Sequence, residues 1–286
     1  MPKASYHLIH PSSRTTATIF ASPHSGRDYS WEFLRRTVLD ELTIRSSEDA
    51  YVDRLYDSAP DHGALFIKAG APRAFVDLNR GEDELDPALI AGVPKLTNNP
   101  RVATGLGVIP RVVANGRSIY HGKLEMSEAR ERINVYWRPY HATLARLMEE
   151  NRDRFGRSIL IDCHSMPREA VAQLENTKQG RPDIVIGDRF GASANSDLVD
   201  EIEAIFADAG FNVSRNAPFA GAYMVRQYGR PSRNQHAIQI EIDRSIYLDE
   251  ALVKPNGNFR AVRGAMRNII PQIADLGRQS HQLAAE

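Results

Sequence analysis

Two histidines, each placed where an apolar run ends, are the first residues in this chain that could do chemistry. His24 follows the run Thr16 to Ser22 (TATIFAS) within Ala-Ser-Pro-His-Ser-Gly, and Gly26 just beyond it permits a sharp turn. A histidine in that place can ligate a metal or simply sit in a loop. His164 closes Ile159-Leu160-Ile161-Asp162-Cys163-His164-Ser165. Side chains alternate across a strand, so Asp162 and His164 share one face while Ile161 and Cys163 share the other. His164 is then either a metal ligand oriented by Asp162 or a core histidine held by a carboxylate. Cys163 reads as a packing residue, because neutral imidazoles do nothing to stabilise a thiolate.

Acids and cations complete the set. Ala237-Ile238-Gln239-Ile240-Glu241-Ile242-Asp243-Arg244 alternates cleanly, with Ile238, Ile240 and Ile242 on one face and Gln239, Glu241 and Asp243 on the other. Glu241 can be a solvated residue on an open edge or a general base facing a cleft. Glu48 and Asp49 stand at the expected start of a helix, where acidic residues are favoured electrostatically whether or not they bind anything. Arg73-Ala74-Phe75-Val76-Asp77-Leu78-Asn79-Arg80 ends an apolar segment with an amide and a guanidinium, a pair suited to a carboxylate ligand or to plain solvation.

These residues need a scaffold that brings distant strand ends together. Thr16–Ser22, Ala64–Lys68, Ile159–Cys163, Ile184–Ile186 and Ala237–Ile242 read as strands. Glu125–Asn151 has helical spacing with a break or kink expected at Pro139. Asp197–Ala209 sets Leu198, Ile202, Ile205 and Ala209 on one helical face, with Ser196 as the expected N-cap. Strands alternating with helices predict a three-layer α/β domain with a largely parallel or mixed central sheet, whose sites form beyond the carboxyl ends of strands. Pro87–Leu106 reads as a long loop, and no composition shift divides the chain, so residues 1–286 are expected to form one domain.

Composition narrows the chemistry. The 36 basic and 36 acidic residues cancel, so no long-range field gathers nucleic acid or an anionic membrane. Arg far outnumbers Lys, a bias that suits bidentate recognition of a small carboxylate-bearing substrate and equally fits surface solvation or genomic composition. The one cysteine excludes an intramolecular disulfide and cysteine-rich zinc modules, so a metal site must use His, Asp or Glu. The N-terminal MPKASYHLIHPSSR lacks the apolar core of a leader, and no apolar run of about 18 residues appears, so a cytoplasmic protein is expected.

Pro23-His24-Ser25-Gly26, Asp49 ahead of Tyr51-Val52, Asp77-Leu78-Asn79-Arg80, Asp162-Cys163-His164-Ser165, Gly187-Asp188-Arg189 and Gln239-Ile240-Glu241-Ile242 occur in that order. Together they resemble the N-formylglutamate amidohydrolases. The resemblance implies a phosphorylase/hydrolase-like fold of the zinc carboxypeptidase and aspartoacylase kind, with helices flanking a central mixed sheet. It also implies one catalytic zinc held by two histidines and a carboxylate. On this sequence those are His24, His164 and Asp49, with Glu48 as the alternative carboxylate. Asp-Leu-Asn-Arg is similar to the aspartoacylase segment that holds the substrate carboxylate, which implies that role for Asn79 and Arg80. Arg73 falls where the relatives have an arginine that polarises the scissile carbonyl, and Glu241 falls where they have the catalytic glutamate. Arg226 is implied as a second carboxylate contact, with Tyr223 beside it. Tyr120, His121 and His141 lie in similar segments without an implied role.

The implied reaction is hydrolysis of N-formyl-L-glutamate to formate and L-glutamate, a step of histidine degradation. An aspartoacylase-like deacylase or a small carboxypeptidase shares the same plan, and a catalytically silent metabolite-binding protein would share only the fold.

Overall fold

Short runs of β-branched and aromatic residues form the seven strands of the main sheet: β1 Tyr6–Ile9, β2 Thr18–Ser22, β3 Leu65–Ala69, β4 Ser158–Met166, β5 Ile184–Gly187, β6 Val213–Arg215 and β7 Gln235–Asp243. In this computed structural model, which describes residues 1–94, 99–174 and 180–278, they make one sheet in the order β1-β3-β2-β4-β7-β5-β6. β3, β2, β4 and β7 run parallel, whereas β1 and the β5–β6 pair run against them. The sheet is therefore mixed, as the alternation of elements predicts. Edge strands β1 and β6 escape the sequence reading because they are short and only partly buried, without a clean apolar face.

Strand alternation divides the core in two. Ile19, Ala21, Leu65, Ile67, Leu160 and Ala237 face the helix that contributes Tyr136, Tyr140, Leu144 and Leu147. Phe20, Phe66, Ile161, Cys163, Ile238, Ile240 and Ile242 face the opposite layer, which includes Leu198, Ile202, Met266, Ile269 and Ile273. Cys163 is thus a buried packing residue, as expected. At its carboxyl end the first face changes character: Leu160 and Ala237 give way to Asp162, His164, Gln239 and Glu241, all buried.

Three local expectations are refined. The stretch around Pro139 is helical from Met126 to Phe155, and the expected break takes the form of a π-turn over Ile133–Trp137. Proline lacks an N–H and its ring crowds the carbonyl four residues back, and the wider turn just before it relieves both. The helix expected from Asp197 spans Ser196–Asp208 with Asn195 as N-cap. Ser196 is the first helical residue, and its hydroxyl turns to Asp197 rather than capping. Ala209 is the exposed C-cap and leaves the inward face to Leu198, Val199, Ile202, Ile205 and Phe206. Within Pro87–Leu106 a short helix, Pro100–Ala103, interrupts the loop, and residues 95–98 lie outside the described residues. No helix among the described residues is long and apolar enough to cross a membrane.

Candidate active site

The parallel strands deliver their functional side chains to one end of the sheet. His24 follows β2, the segment from Arg73 to Arg80 follows β3, His164 sits near the end of β4, and Glu241 near the end of β7. The β4–β7 register pairs Asp162 with Gln239 and His164 with Glu241, so these four share a face. Gly26 is required by close approach: a Cβ there would stand 2.0 Å from the Ala71 carbonyl oxygen. The loop carrying His24 therefore lies directly against the one leading to Arg73.

His24, Asp49 and His164 converge, with one ligand atom from each lying within 4.8 Å of the others. Asp49 Oδ2 is 2.9 Å from His164 Nδ1 and 3.4 Å from His24 Nδ1. Both rings turn their other nitrogen to a carboxylate: His24 Nε2 to Asp77 Oδ1 at 2.7 Å and His164 Nε2 to Asp162 Oδ1 at 2.9 Å. The Asp77 contact assigns the His24 ring proton to Nε2 and leaves its Nδ1 lone pair toward Asp49, the arrangement in which an outer carboxylate orients a metal-binding imidazole, while His164 is held through Nδ1 by Asp49 and through Nε2 by Asn79. His24 Nδ1 is a buried nitrogen with no hydrogen-bond partner. A buried, unsatisfied lone pair is costly, and a cation between the three side chains would satisfy it. The donor set therefore fits a metal ion.

The electrostatics agree. Burial opposes ionisation of Asp49, but the neighbouring His164 and His24 rings and the charge of Arg244 hold its carboxyl well below the usual range. Burial likewise opposes a charge on His164, yet Asp162, Asp49 and Glu241 raise its pKa well above the ordinary value. Carboxylates that hold a proton this firmly will also hold a metal cation in its place. Burial pushes the Glu241 carboxyl up to about 7, with Asp49 adding to the rise and His164 opposing it.

A cavity of ≈ 460 Å³ opens onto these groups, lined by His24, Asp49, His164 and Glu241 together with four arginines, Arg73, Arg80, Arg101 and Arg244. Arg73 donates through Nε to Asp77 Oδ2 at 3.1 Å, which leaves the outer edge of its guanidinium for a ligand. Arg80 donates to the carbonyls of Leu106 and Asn79, at 2.9 and 2.7 Å, and burial lowers its pKa. Glu241 Oε1 accepts a 2.8 Å bond from Gln239, whose own carbonyl accepts from Ala222 N.

The N-formylglutamate amidohydrolase family matches residues 16–248 of this sequence. The chain belongs to that family. It is 32% identical over 235 residues to the N-formylglutamate deformylase of Pseudomonas putida, covering 81% of this chain and 82% of the relative. The Pseudomonas aeruginosa protein of the same name is 28% identical over 280 residues, 96% of this chain and 93% of the relative. A crystal structure of N-formylglutamate amidohydrolase from Ralstonia eutropha JMP134, 33% identical, superposes with a TM-score of 0.88 over 95% of this chain and 98% of the other.

Not every residue suggested by likeness to N-formylglutamate amidohydrolases reaches the cavity in its expected role. Glu48 is not part of the convergent set: it is buried against Arg45 Nε at 2.9 Å and the Tyr29 hydroxyl at 3.2 Å. Asn79, expected on a substrate carboxylate, has both ends of its amide engaged. Nδ2 donates to Asp162 Oδ2 at 3.1 Å and lies 2.9 Å from His164 Nε2, while Oδ1 accepts from Met224 N at 2.7 Å. Its amide thus braces the outer shell of His164. Tyr223 and Arg226 line an adjoining depression rather than this cavity, and Arg226, 58% exposed, is 3.9 Å from Glu84.

Other motif residues turn out to hold the walls. His141 Nε2 donates to the Leu78 carbonyl at 2.8 Å and Trp137 Nε1 to the Arg80 carbonyl at 2.8 Å, fixing the segment that carries Asp77. Tyr120 accepts from the buried Arg132 at 2.7 Å, and His121 is exposed. In Gly187-Asp188-Arg189, Asp188 accepts from Asn216 Nδ2 at 2.6 Å, and a Cβ on Gly187 would meet Ala220 and Gly221 backbone at 2.8 Å. That motif secures the wall running from Pro218 to Ala222. Arg244 was missed by sequence reasoning. It donates to Asp49 Oδ1 at 2.7 Å and to Ser165 Oγ at 3.0 Å, and only the adjacency of β4 and β7 shows that it steadies the carboxylate of the triad.

Proposed function

We propose that the chain hydrolyses the amide bond of N-formyl-L-glutamate to formate and L-glutamate, with one zinc ion held by His24, Asp49 and His164. The observation that carries this reading is the buried convergence of those three residues beside Glu241 in a cavity bearing four arginines. The relatives named N-formylglutamate deformylase support the choice of substrate. Zinc there would supply a Lewis acid for the formyl oxygen and an acidified water at an open position, chemistry for which two imidazoles and a carboxylate are well suited.

The chain's own residues do the rest. Glu241 takes the proton of the attacking water on its carboxylate and returns it to the departing amine, so that glutamate leaves with a neutral nitrogen. Arg73, anchored by Asp77, directs its free N–H groups at the oxygen on which negative charge develops. Arg80 supplies a charge-assisted contact to a substrate carboxylate and fixes the scissile bond. Asp77 keeps the His24 imidazole in the tautomer that turns Nδ1 inward, and Asp162, 2.9 Å from His164 Nε2, lends that ring a nearby negative charge.

The test is turnover of N-formyl-L-glutamate by protein with measured zinc content, before and after chelation. Activity that tracks zinc content is expected. A stoichiometric zinc protein that releases no formate, or an active protein indifferent to chelation, would overturn the reading.

A further inference from the structure

The active-site cavity is not closed on all sides. A second cavity of ≈ 370 Å³ adjoins it, and the two share Arg73, Leu106, Pro167 and Arg244 in their walls. Past that boundary the lining changes. Leu106, Pro110, Val112, Val113 and Ala114 form an apolar wall, with Ser46, Ser47 and Thr104 as polar edges. Its charged groups each have an ionic partner: Asp77 holds His24 and Arg73, and Arg244 holds Asp49. Arg80 and Arg101 line the first cavity and not the second.

The two cavities therefore ask for different chemistry. A dicarboxylic amino acid is drawn to Arg80 and Arg101, where its charges are met. The second cavity adjoins the first at Arg73, where the acyl side of the amide would lie, and offers an apolar space that a formyl group would not fill. We infer that this second cavity is an acyl-chain subsite, and that the enzyme also cleaves N-acyl-L-glutamates whose acyl group is a straight alkyl chain of several carbons. The inference rests on the hydrolytic reading above. Hydrolysis is balanced by one water: the C–N bond breaks, the acyl carbon gains hydroxyl and leaves as a fatty acid, and the amine gains the proton.

The experiment compares formyl-, acetyl-, butanoyl- and hexanoyl-L-glutamate on the zinc-loaded protein and on Ala114→Trp. Ala114 is a partly exposed residue of the second cavity alone, so the larger side chain fills that space without touching the triad. Burial of one methylene corresponds to about a 4-fold gain, so kcat/KM is expected to climb by up to about that factor per CH₂ along the series. In Ala114→Trp the climb disappears while formyl-L-glutamate turnover persists.

Binding of N-alkyl-L-glutamates, which have no amide to cleave, is measured by calorimetry in parallel, so that the subsite is tested even if no substrate turns over. Affinity that rises with chain length in the parent and not in Ala114→Trp supports the subsite. Affinity independent of chain length, or a rise unchanged by the tryptophan, overturns it. Absence of formyl turnover alone refutes the proposed reaction and leaves the binding series to decide the subsite.

Discussion

Replacing Glu241 by glutamine separates the roles this residue can have. The two side chains have nearly the same shape, and glutamine can still accept the 2.8 Å hydrogen bond from Gln239, so the end of β7 keeps its packing. Glutamine cannot take a proton from water at neutral pH. General acid–base groups contribute about 100- to 10,000-fold, so kcat is expected to fall by that factor, equivalent to about 3 to 5 kcal/mol of barrier. Zinc stoichiometry, measured on the same preparation, is expected to stay at the parent value, because Glu241 is not among the three convergent ligands. The pH profile gives a second readout. A base works only when deprotonated, so the parent's rate falls as pH drops through the Glu241 pKa, which burial sets at about 7 and a bound cation lowers. That limb should vanish in Glu241→Gln. Near-parental turnover would refute the general-base role, and loss of zinc would make Glu241 a ligand.

Three further outcomes follow from the same geometry. Asp77→Asn removes the carboxylate that orients His24, and zinc affinity measured by chelator competition should weaken by about 10- to 100-fold, against no change if Asp77 were only a packing residue. Arg80→Ala should raise KM for N-formyl-L-glutamate by about 10- to 100-fold, the value of a hydrogen bond to a charged group, with zinc content unchanged; an unaltered KM would place Arg80 outside substrate binding. Burial pushes His141 down to about 4, below the ordinary value near 6.5 for an unfolded chain. The unfolded state therefore takes up this proton first, so the stability contributed by neutral His141 is full above about pH 6.5 and is lost as pH falls toward 4, by at most about 3 kcal/mol. Urea denaturation of the parent and of His141→Gln at pH 7.5 and 4.5 checks this, and equal pH sensitivity of the two proteins would contradict it.

The parts of this molecule that were legible in the sequence are those encoded by local periodicity. Alternation in Ile159–Ser165 and Ala237–Arg244 assigned the faces of Asp162, His164, Gln239 and Glu241 correctly, because a strand buried on both sides leaves no freedom in which residue points where. Asp49 and Glu48 were indistinguishable, since neighbouring acids on a helix-entry loop differ only in what the tertiary fold places opposite each. Asn79 lines the cavity, but its contacts to Asp162 and Met224 N come from distant segments and leave no mark on the local sequence. Arg244 carried no local signal at all. Its purpose depends on β4 and β7 lying side by side, a pairing that composition and spacing do not encode.

That pairing also dictates when the site can exist. The groups around the triad are drawn from residue 24 to residue 244, and the strands that bring them together join segments far apart in the chain: β2 to β4, then β4 to β7. Contacts of such long sequence separation form only after the cost of closing large loops has been met, so they come late in folding. Until β4 is seated between β2 and β7, the chain has scattered imidazoles and carboxylates but no place where three of them meet. A metal ion therefore has little to hold in a partly folded chain, and loading should occur as a final step on a finished sheet. On the proposed zinc reading, a chain that misfolds along this order of assembly would be left metal-free rather than loosely metallated.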